Sequence, residues 1–223
     1  MRHPVLKTSL LIVLLIILVP YILSGVYQVI RPPSTLMLKG WATGANVERE
    51  WVPLSEISPY LIRAVVIAED DKFCEHWGFD WKQLGKSIEK ARARKKEIRA
   101  TSTISQQLAK NLFLWHGRSW ARKLVEAPLT LWLEMTWDKK RILETYLNIV
   151  EWGDGVYGAE AAARHHFKTS AAKLTMLQAS LLATSLPNPI QRDASGAGPA
   201  QTLHARNIVL RLLSGDGDIA CVN

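Results

Sequence analysis

From Thr8 to Ile30 the chain runs for 23 residues without a charged side chain, reading SLLIVLLIILVPYILSGVYQVI after the threonine. Coiled into a helix, such a run rises about 35 Å, enough to cross a hydrocarbon core of about 30 Å. A cleaved secretory signal competes with this assignment, because Arg2 and Lys7 form a basic flank and Pro20, Ser24 and Gly25 could precede a cut. The apolar run continues past any such cut, however, and no Ala-x-Ala site is present. Signal cores also span only about 7 to 15 residues. The expectation is an uncleaved anchor in residues 1–30, a juxtamembrane connector in 31–50 and one domain in 51–223. The basic N-terminal tip assigns that end to the cytoplasm and the domain to the outer side of the membrane in a single pass, although Arg31 and Lys39 blur the bias.

The domain is expected to be globular and mostly α. Of the whole chain 48% is hydrophobic, so a packed core is within reach, and Lys+Arg 28 against Asp+Glu 20 leaves a net charge of +8. The basic run Lys82–Arg99 carries much of that excess. Such a run is most often a solvated face; on an outer-face domain it could also meet anionic headgroups, and nucleic acid is not expected. Cys74 and Cys221 are too few for a disulfide framework and say little about redox compartment.

Ser58-Pro59 reads as an N-cap and first helical residue, opening a helix through YLIRAVVIAED, and Asp80 as the cap of the next. Thr101, Ser102 and Thr103 are candidate caps for STISQQLAKNLFL. There Ile104, Leu108 and Leu112 recur on one face, while Ser102, Gln106 and Lys110 form a polar stripe aimed away from the core. Ser119 can cap a helix through Trp137 that Pro128 should kink. Asp138 opens another, with Ile142, Leu143, Tyr146, Leu147 and Val150 on its buried side, and two Ala-rich helices follow a glycine turn. Strands are expected at most as short pieces near Leu36–Val52.

Several motifs dissolve on inspection. Gly153, Gly155 and Gly158 spell G-x-G-x-x-G, but a helix rather than a strand precedes them and no acidic residue stands about 20 positions on. Ser87–Lys90 and Ser170–Lys173 match Ser-x-x-Lys without the companion motifs of acyl transfer. His165 and His166 are adjacent, hence divergent on a helix, and His76 has no second His four residues on, so zinc is not expected. Trp77, Trp81 and Trp115 are weak sugar-stacking candidates. Arg122 and Glu126, at i and i+4, are on spacing alone a helix-surface pair worth tenths of a kcal/mol.

The cluster Glu69, Asp70, Asp71 closes an apolar helix, the end where negative charge is unfavourable. Adjacent carboxylates raise one another's pKa towards the range of a general base. Asp70 and Asp71 are equally well read as solvated terminal charges; Glu69 is assigned to chemistry.

Four strings then occur in order: EDDKFCEHWGFDW from Glu69, STISQQLAKN from Ser102, RKLVE from Arg122, and KRILETYLNIVEWGDGVYGAEAAARHHFK from Lys140. Together they resemble the successive motifs of the biosynthetic peptidoglycan glycosyltransferases, in particular the monofunctional, membrane-anchored ones. The resemblance implies a lysozyme-like glycosyltransferase fold with a small membrane-associated jaw, acting on lipid II and the growing glycan strand. It implies inverting transfer, with undecaprenyl pyrophosphate as leaving group and Glu69 as the base for the acceptor 4-hydroxyl. Glu126 becomes the second essential carboxylate, beside the pyrophosphate and able to bind a divalent cation (Mg or Mn). Lys110, Arg118, Arg122 and Lys123 become the cations that neutralise it, Ser102, Gln106 and Gln107 line the cleft, and Asp70, His76 and Lys168 join the substrate-binding set. Membrane lipids and other cell-wall synthesis and division proteins are the implied partners. Three positions depart from the family pattern: Ala100 where Gly is usual, Gln178 where Glu is common, and Pro128 inside a helix. A muramidase or lytic transglycosylase would also use one Glu, but it has no pyrophosphate for the cations around Lys110–Lys123. A silent scaffold would not need both glutamates.

Overall fold

The computed structural model describes residues 4–94, 102–117 and 119–222. Ala100, Thr101 and Arg118 lie outside the described residues, as does the end of the Lys82–Arg99 basic run. Helix α1 spans Pro4–Tyr27. Its C-terminal end is bolted to the domain: the Trp132 indole donates to Ser24 Oγ at 2.8 Å, the Trp137 indole to the Ser24 carbonyl at 3.1 Å, and Arg141 to the Tyr27 carbonyl at 2.6 Å. Tyr21 meets Trp132 edge to face, with ring centroids 5.4 Å apart. Among the described residues no helix is long and apolar enough to cross a membrane.

The segment expected as a connector contains helix α2, Thr35–Thr43, and the two-residue strand β1, Glu48–Arg49. Ser34 Oγ accepts from Met37 N at the start of α2, and Gly44 ends it at φ +71°. The punctuation taken for a linker is therefore a start and a stop signal. Pro59–Glu69 forms α3 and Trp81–Arg94 forms α4. Asp80 caps α4, accepting from Gln83 N at 2.8 Å, whereas the Ser58 hydroxyl donates to the Leu174 carbonyl instead of capping α3. Ile104–Phe113 (α5) opens on a capping box of Thr103 and Gln106, Trp120–Thr136 (α6) on Ser119, and Lys139–Ile149 (α7) on Asp138. Pro128 lies on the exposed side of α6, which continues through it. The carbonyl that Pro128 leaves without an N–H belongs to Leu124, also exposed, so solvent can reach that turn.

Ala159–Phe167 (α8), Met176–Ser185 (α9) and Pro199–Leu213 (α10) complete the helices, with short 3-10 turns at Leu54–Glu56, Ala171–Lys173 and Ala220–Val222. Helix α10 escapes the sequence reading because Leu203, Leu210 and Leu213 are exposed and blur its periodicity. The buried faces of α3, α5 and α7 meet in one core that includes Leu61, Val65, Ile104, Leu108, Leu143 and Leu147. Alanines of α8 and α9 are buried against it. Gln178, in the position where Glu is common, completes a capping box with Thr175 at the start of α9, a task either residue performs.

The glycine turn folds into a small sheet, with β2 (Glu151–Gly153) antiparallel and β1 parallel to the central β3 (Val156–Tyr157). A Cβ on Gly155 would fall 2.4 Å from the Asn46 carbonyl oxygen and one on Gly158 2.9 Å from that of Asn148; both glycines have positive φ. Close backbone approach accounts for two of the three glycines of the rejected dinucleotide motif.

Cys74 and Cys221, which carried little weight in the sequence, form a disulfide across 147 residues with Cα atoms 5.5 Å apart. It staples the C-terminal 3-10 turn to the loop that follows Glu69. Closing so long a loop removes much unfolded-chain entropy, so Cys221→Ser should cost about 2 to 5 kcal/mol and lower Tm by roughly 5 to 15 °C. Thermal denaturation followed by circular dichroism checks this, and an unchanged Tm would contradict it.

Candidate active site

Glu69 is the last residue of α3 and only 8% exposed. Its Oε2 accepts from the side-chain amide of Gln107 on α5 at 2.6 Å, and the same nitrogen lies 3.3 Å from the Ser102 carbonyl. Burial pushes the Glu69 carboxyl up, and the adjacent Asp70 adds to the rise. The Gln107 amide, Lys110 and Arg192 pull it down, but burial is the largest cause. The result is a partly desolvated carboxylate whose basicity exceeds that of an ordinary glutamate.

Asp70 is not a solvated terminal charge. It is 5% exposed, its Oδ2 accepts from Ile104 N at 2.9 Å, and its Oδ1 pairs with His76 Nε2 at 2.8 Å. An apolar helix can end on this carboxylate because α5, the second helix onward in the chain, offers it the backbone N–H of its first residue. Asp71 does lie at the surface, where it meets Arg211 at 2.6 Å. The loop beyond Asp70 is held at further points: Thr103 Oγ1 donates to the Gly78 carbonyl at 2.7 Å and Lys139 Nζ to the His76 carbonyl at 2.8 Å. Asp70 and His76 thus tie the chain directly after Glu69 to the first residue of α5 and to the following loop.

One turn along α5 from Gln107, Lys110 faces a second charged group. Glu126 of α6, 1% exposed, pairs through Oε2 with Arg122 and through Oε1 with Lys123. Arg122 is itself buried, so the Arg122–Glu126 pair is not the helix-surface contact that its spacing allows. Lys123, with its side chain 44% exposed, also donates to Ser102 Oγ at 2.8 Å. Lys110 is pushed down by burial and by Arg122 and Lys123, while Glu126 and Glu69 pull it up. His116, lowered to about 4 by burial and by Lys110, Arg122 and Lys39, is neutral at working pH and adds no charge. A cavity of about 180 Å³ opens beside Gln107, Lys110, Asn111 and His116.

Gln106 turns its side-chain oxygen back to Thr103 N at 3.0 Å, so its work includes capping α5. Lys168 caps α8 in the left-handed region, at φ 53°, and its ammonium donates to the His165 carbonyl at 3.1 Å. No described contact joins Lys168 to Glu69 or Glu126. Trp77, Trp81 and Trp115 are all exposed. The residues at Glu126 do not fit a resident divalent cation: both oxygens of this single carboxylate are held by cations. Among the described residues no group of three or more His, Cys, Asp or Glu could hold a metal.

Residues 37–214 match the transglycosylase family. The chain is 47% identical over 218 residues to a biosynthetic peptidoglycan transglycosylase of Agrobacterium fabrum, covering 97% of this chain and 96% of that one. It is 46% identical to the protein of that name from Rhizobium meliloti, covering 95% and 90%, and 47% identical to that of Brucella suis, covering 93% and 91%. The chain belongs to the transglycosylase family. Within this transglycosylase, sequence reasoning missed Arg192, whose charge acts on Glu69 from the segment after α9. Its only local cue is a Pro-Asn-Pro turn, and its proximity to α3 exists only in the folded chain.

Proposed function

We infer that the protein polymerises lipid II into peptidoglycan strands, with Glu69 as general base and Glu126 at the leaving group. The observation that carries this reading is the separation of two charged groups along α5: a buried carboxylate held by the Gln107 amide, its basicity raised by burial, and a cation-rich cluster one turn away at Lys110. The acceptor 4-hydroxyl gives its proton to Glu69 while its oxygen attacks the anomeric carbon of the lipid-linked strand. The bond from that carbon to the pyrophosphate oxygen breaks, its electron pair leaves with undecaprenyl pyrophosphate, and a single displacement inverts the configuration. Lys110, Arg122 and Lys123 hold the developing negative charge, and fixed cations in a water-poor site do this without reorganisation. A Mg or Mn ion enters the proposal only as one carried by the pyrophosphate.

Anchoring in the membrane belongs to this reading. It rests on the amino-acid sequence, whose uncharged run 8–30 would rise about 35 Å as one helix. The exposed side chains of Trp120, Leu124, Leu131 and Met135 form an apolar stripe on α6, the helix to which α1 is bolted. Bilayer contact along both helices would bring the pyrophosphate site on the inner side of α6 to the lipid surface. A disulfide fits an outer-face domain. Other cell-wall synthesis and division proteins are proposed as partners on the same outer face.

Wild-type protein incubated with labelled lipid II should build long glycan strands and should not shorten finished ones; shortening alone would favour the muramidase. Lys110→Ala should weaken lipid II binding by about tenfold or more, the order of one charge-assisted contact, with an unchanged circular dichroism spectrum. Equal affinities would remove Lys110 from the pyrophosphate site.

A further inference from the structure

Tyr146 lies on the apolar face of α7 and is fully buried with Ile142, Leu143 and Leu147. Its spacing marks it as core, but a buried phenol needs a hydrogen-bond partner. That partner is Gln107: Tyr146 Oη donates to Gln107 Oε1 at 3.0 Å, while Gln107 Nε2 donates to Glu69 Oε2 at 2.6 Å. Three helices thus contribute one side chain each to a directed chain running from α7 through α5 to α3. We propose that Tyr146 is a positioning residue for the general base, holding the Gln107 amide in the orientation that presents its N–H to Glu69 throughout the catalytic cycle.

The two ends of a side-chain amide are nearly the same shape, so packing alone does not choose between them. While Glu69 is ionised, its oxygen favours the amide nitrogen, and so does the Ser102 carbonyl. Once Glu69 has taken the acceptor's proton, its new O–H could donate to a flipped amide oxygen. That flip would trap the base in its protonated form. Gln107 Oε1 is the acceptor that Tyr146 has among the described residues, so a flip would strand the phenol proton in an apolar site. Burial, reinforced by Glu69 and Asp70, raises the Tyr146 pKa well above 10, so the phenol remains a donor at any working pH. The charged groups that face Glu69 are Lys110 of α5, the adjacent Asp70 and Arg192 beyond α9; from α7 it is Tyr146 that reaches it, through Gln107.

The inference rests on the general-base role proposed for Glu69. Tyr146→Phe should lower kcat by about tenfold with little change in KM, and should move the acid limb of the kcat/KM profile to higher pH, because the carboxylate loses a fixed donor. In a Gln107→Ala background the same substitution should change nothing further. Replacing Tyr146 by 4-aminophenylalanine, which keeps the ring and a donor, should restore the wild-type limb. A folded Tyr146→Phe enzyme with a wild-type pH profile would overturn the proposal, as would an undiminished effect in the Gln107→Ala background. Should the Phe variant be too unstable to assay, 3-fluorotyrosine at 146, a stronger donor in the same volume, must move the limb to lower pH, and an unmoved limb overturns the relay. A fully active Glu69→Gln enzyme would instead remove the base itself, so the two failures are distinguishable.

Discussion

Glu69→Gln should lose about 10²- to 10⁴-fold in strand formation, the usual worth of general-base catalysis, while still binding lipid II. The amide keeps the shape of the carboxylate and an oxygen for the Gln107 N–H, so the site survives and only the proton acceptor is lost. The same variant should unfold at a higher temperature than wild type at pH 7. The sign follows from the raised carboxyl pKa: the native state then binds the proton more tightly than the unfolded chain, so ionisation costs stability. That cost develops as pH rises from the ordinary carboxylate range through the raised folded value. The variant's advantage should therefore be present at neutral pH and vanish below about pH 4. The kcat/KM profile of wild type should have its acid limb above the ordinary carboxylate range for the same reason. A variant both dead and stabilised identifies a residue kept for chemistry at a cost to the fold.

Glu126→Gln should also lose polymerisation, by about 10²-fold or more, but with the opposite signature in stability and binding. Glu126 neutralises a buried Arg122 and the partly exposed Lys123. Removing one partner of a buried pair leaves the other uncompensated, which is strongly destabilising, so Tm should fall. Inorganic pyrophosphate should bind more tightly to this variant, because Arg122, Lys123 and Lys110 then face the anion without a competing carboxylate. Isothermal titration against wild type reads the sign directly. Weaker pyrophosphate binding by Glu126→Gln would contradict the assignment of Glu126 to the leaving-group side.

The helices whose caps and apolar spacing agree were legible in the sequence. Ile104, Leu108 and Leu112 fall on the buried face of α5, and Asp138 caps an α7 whose stripe from Ile142 to Val150 is buried throughout. Helix α2 was hidden because its Ser34 cap and Gly44 stop read as linker composition, and β2 and β3 are too short for any alternation to emerge. At the site, motif order drew attention to Glu69, Gln107, Lys110, Arg122, Lys123 and Glu126, and the fold brings these into two neighbouring groups along α5 and α6. Spacing could not reveal that Asp70 would spend both oxygens on Ile104 N and His76, because those partners lie in a loop and in another helix. Nor could it distinguish a buried Arg122–Glu126 pair from a surface one, since i and i+4 residues meet in either case. The disulfide, Arg192 and the Tyr146 hydroxyl depend on contacts between segments distant in the chain, which a local pattern does not encode.

The most direct test of the account is glycan-strand formation from labelled lipid II, measured side by side for wild type, Glu69→Gln and Glu126→Gln, with circular dichroism to establish that each is folded. The account predicts long strands from wild type and almost none from either variant, with Glu69→Gln retaining lipid II affinity. Strands of wild-type yield from a folded Glu69→Gln enzyme would contradict it.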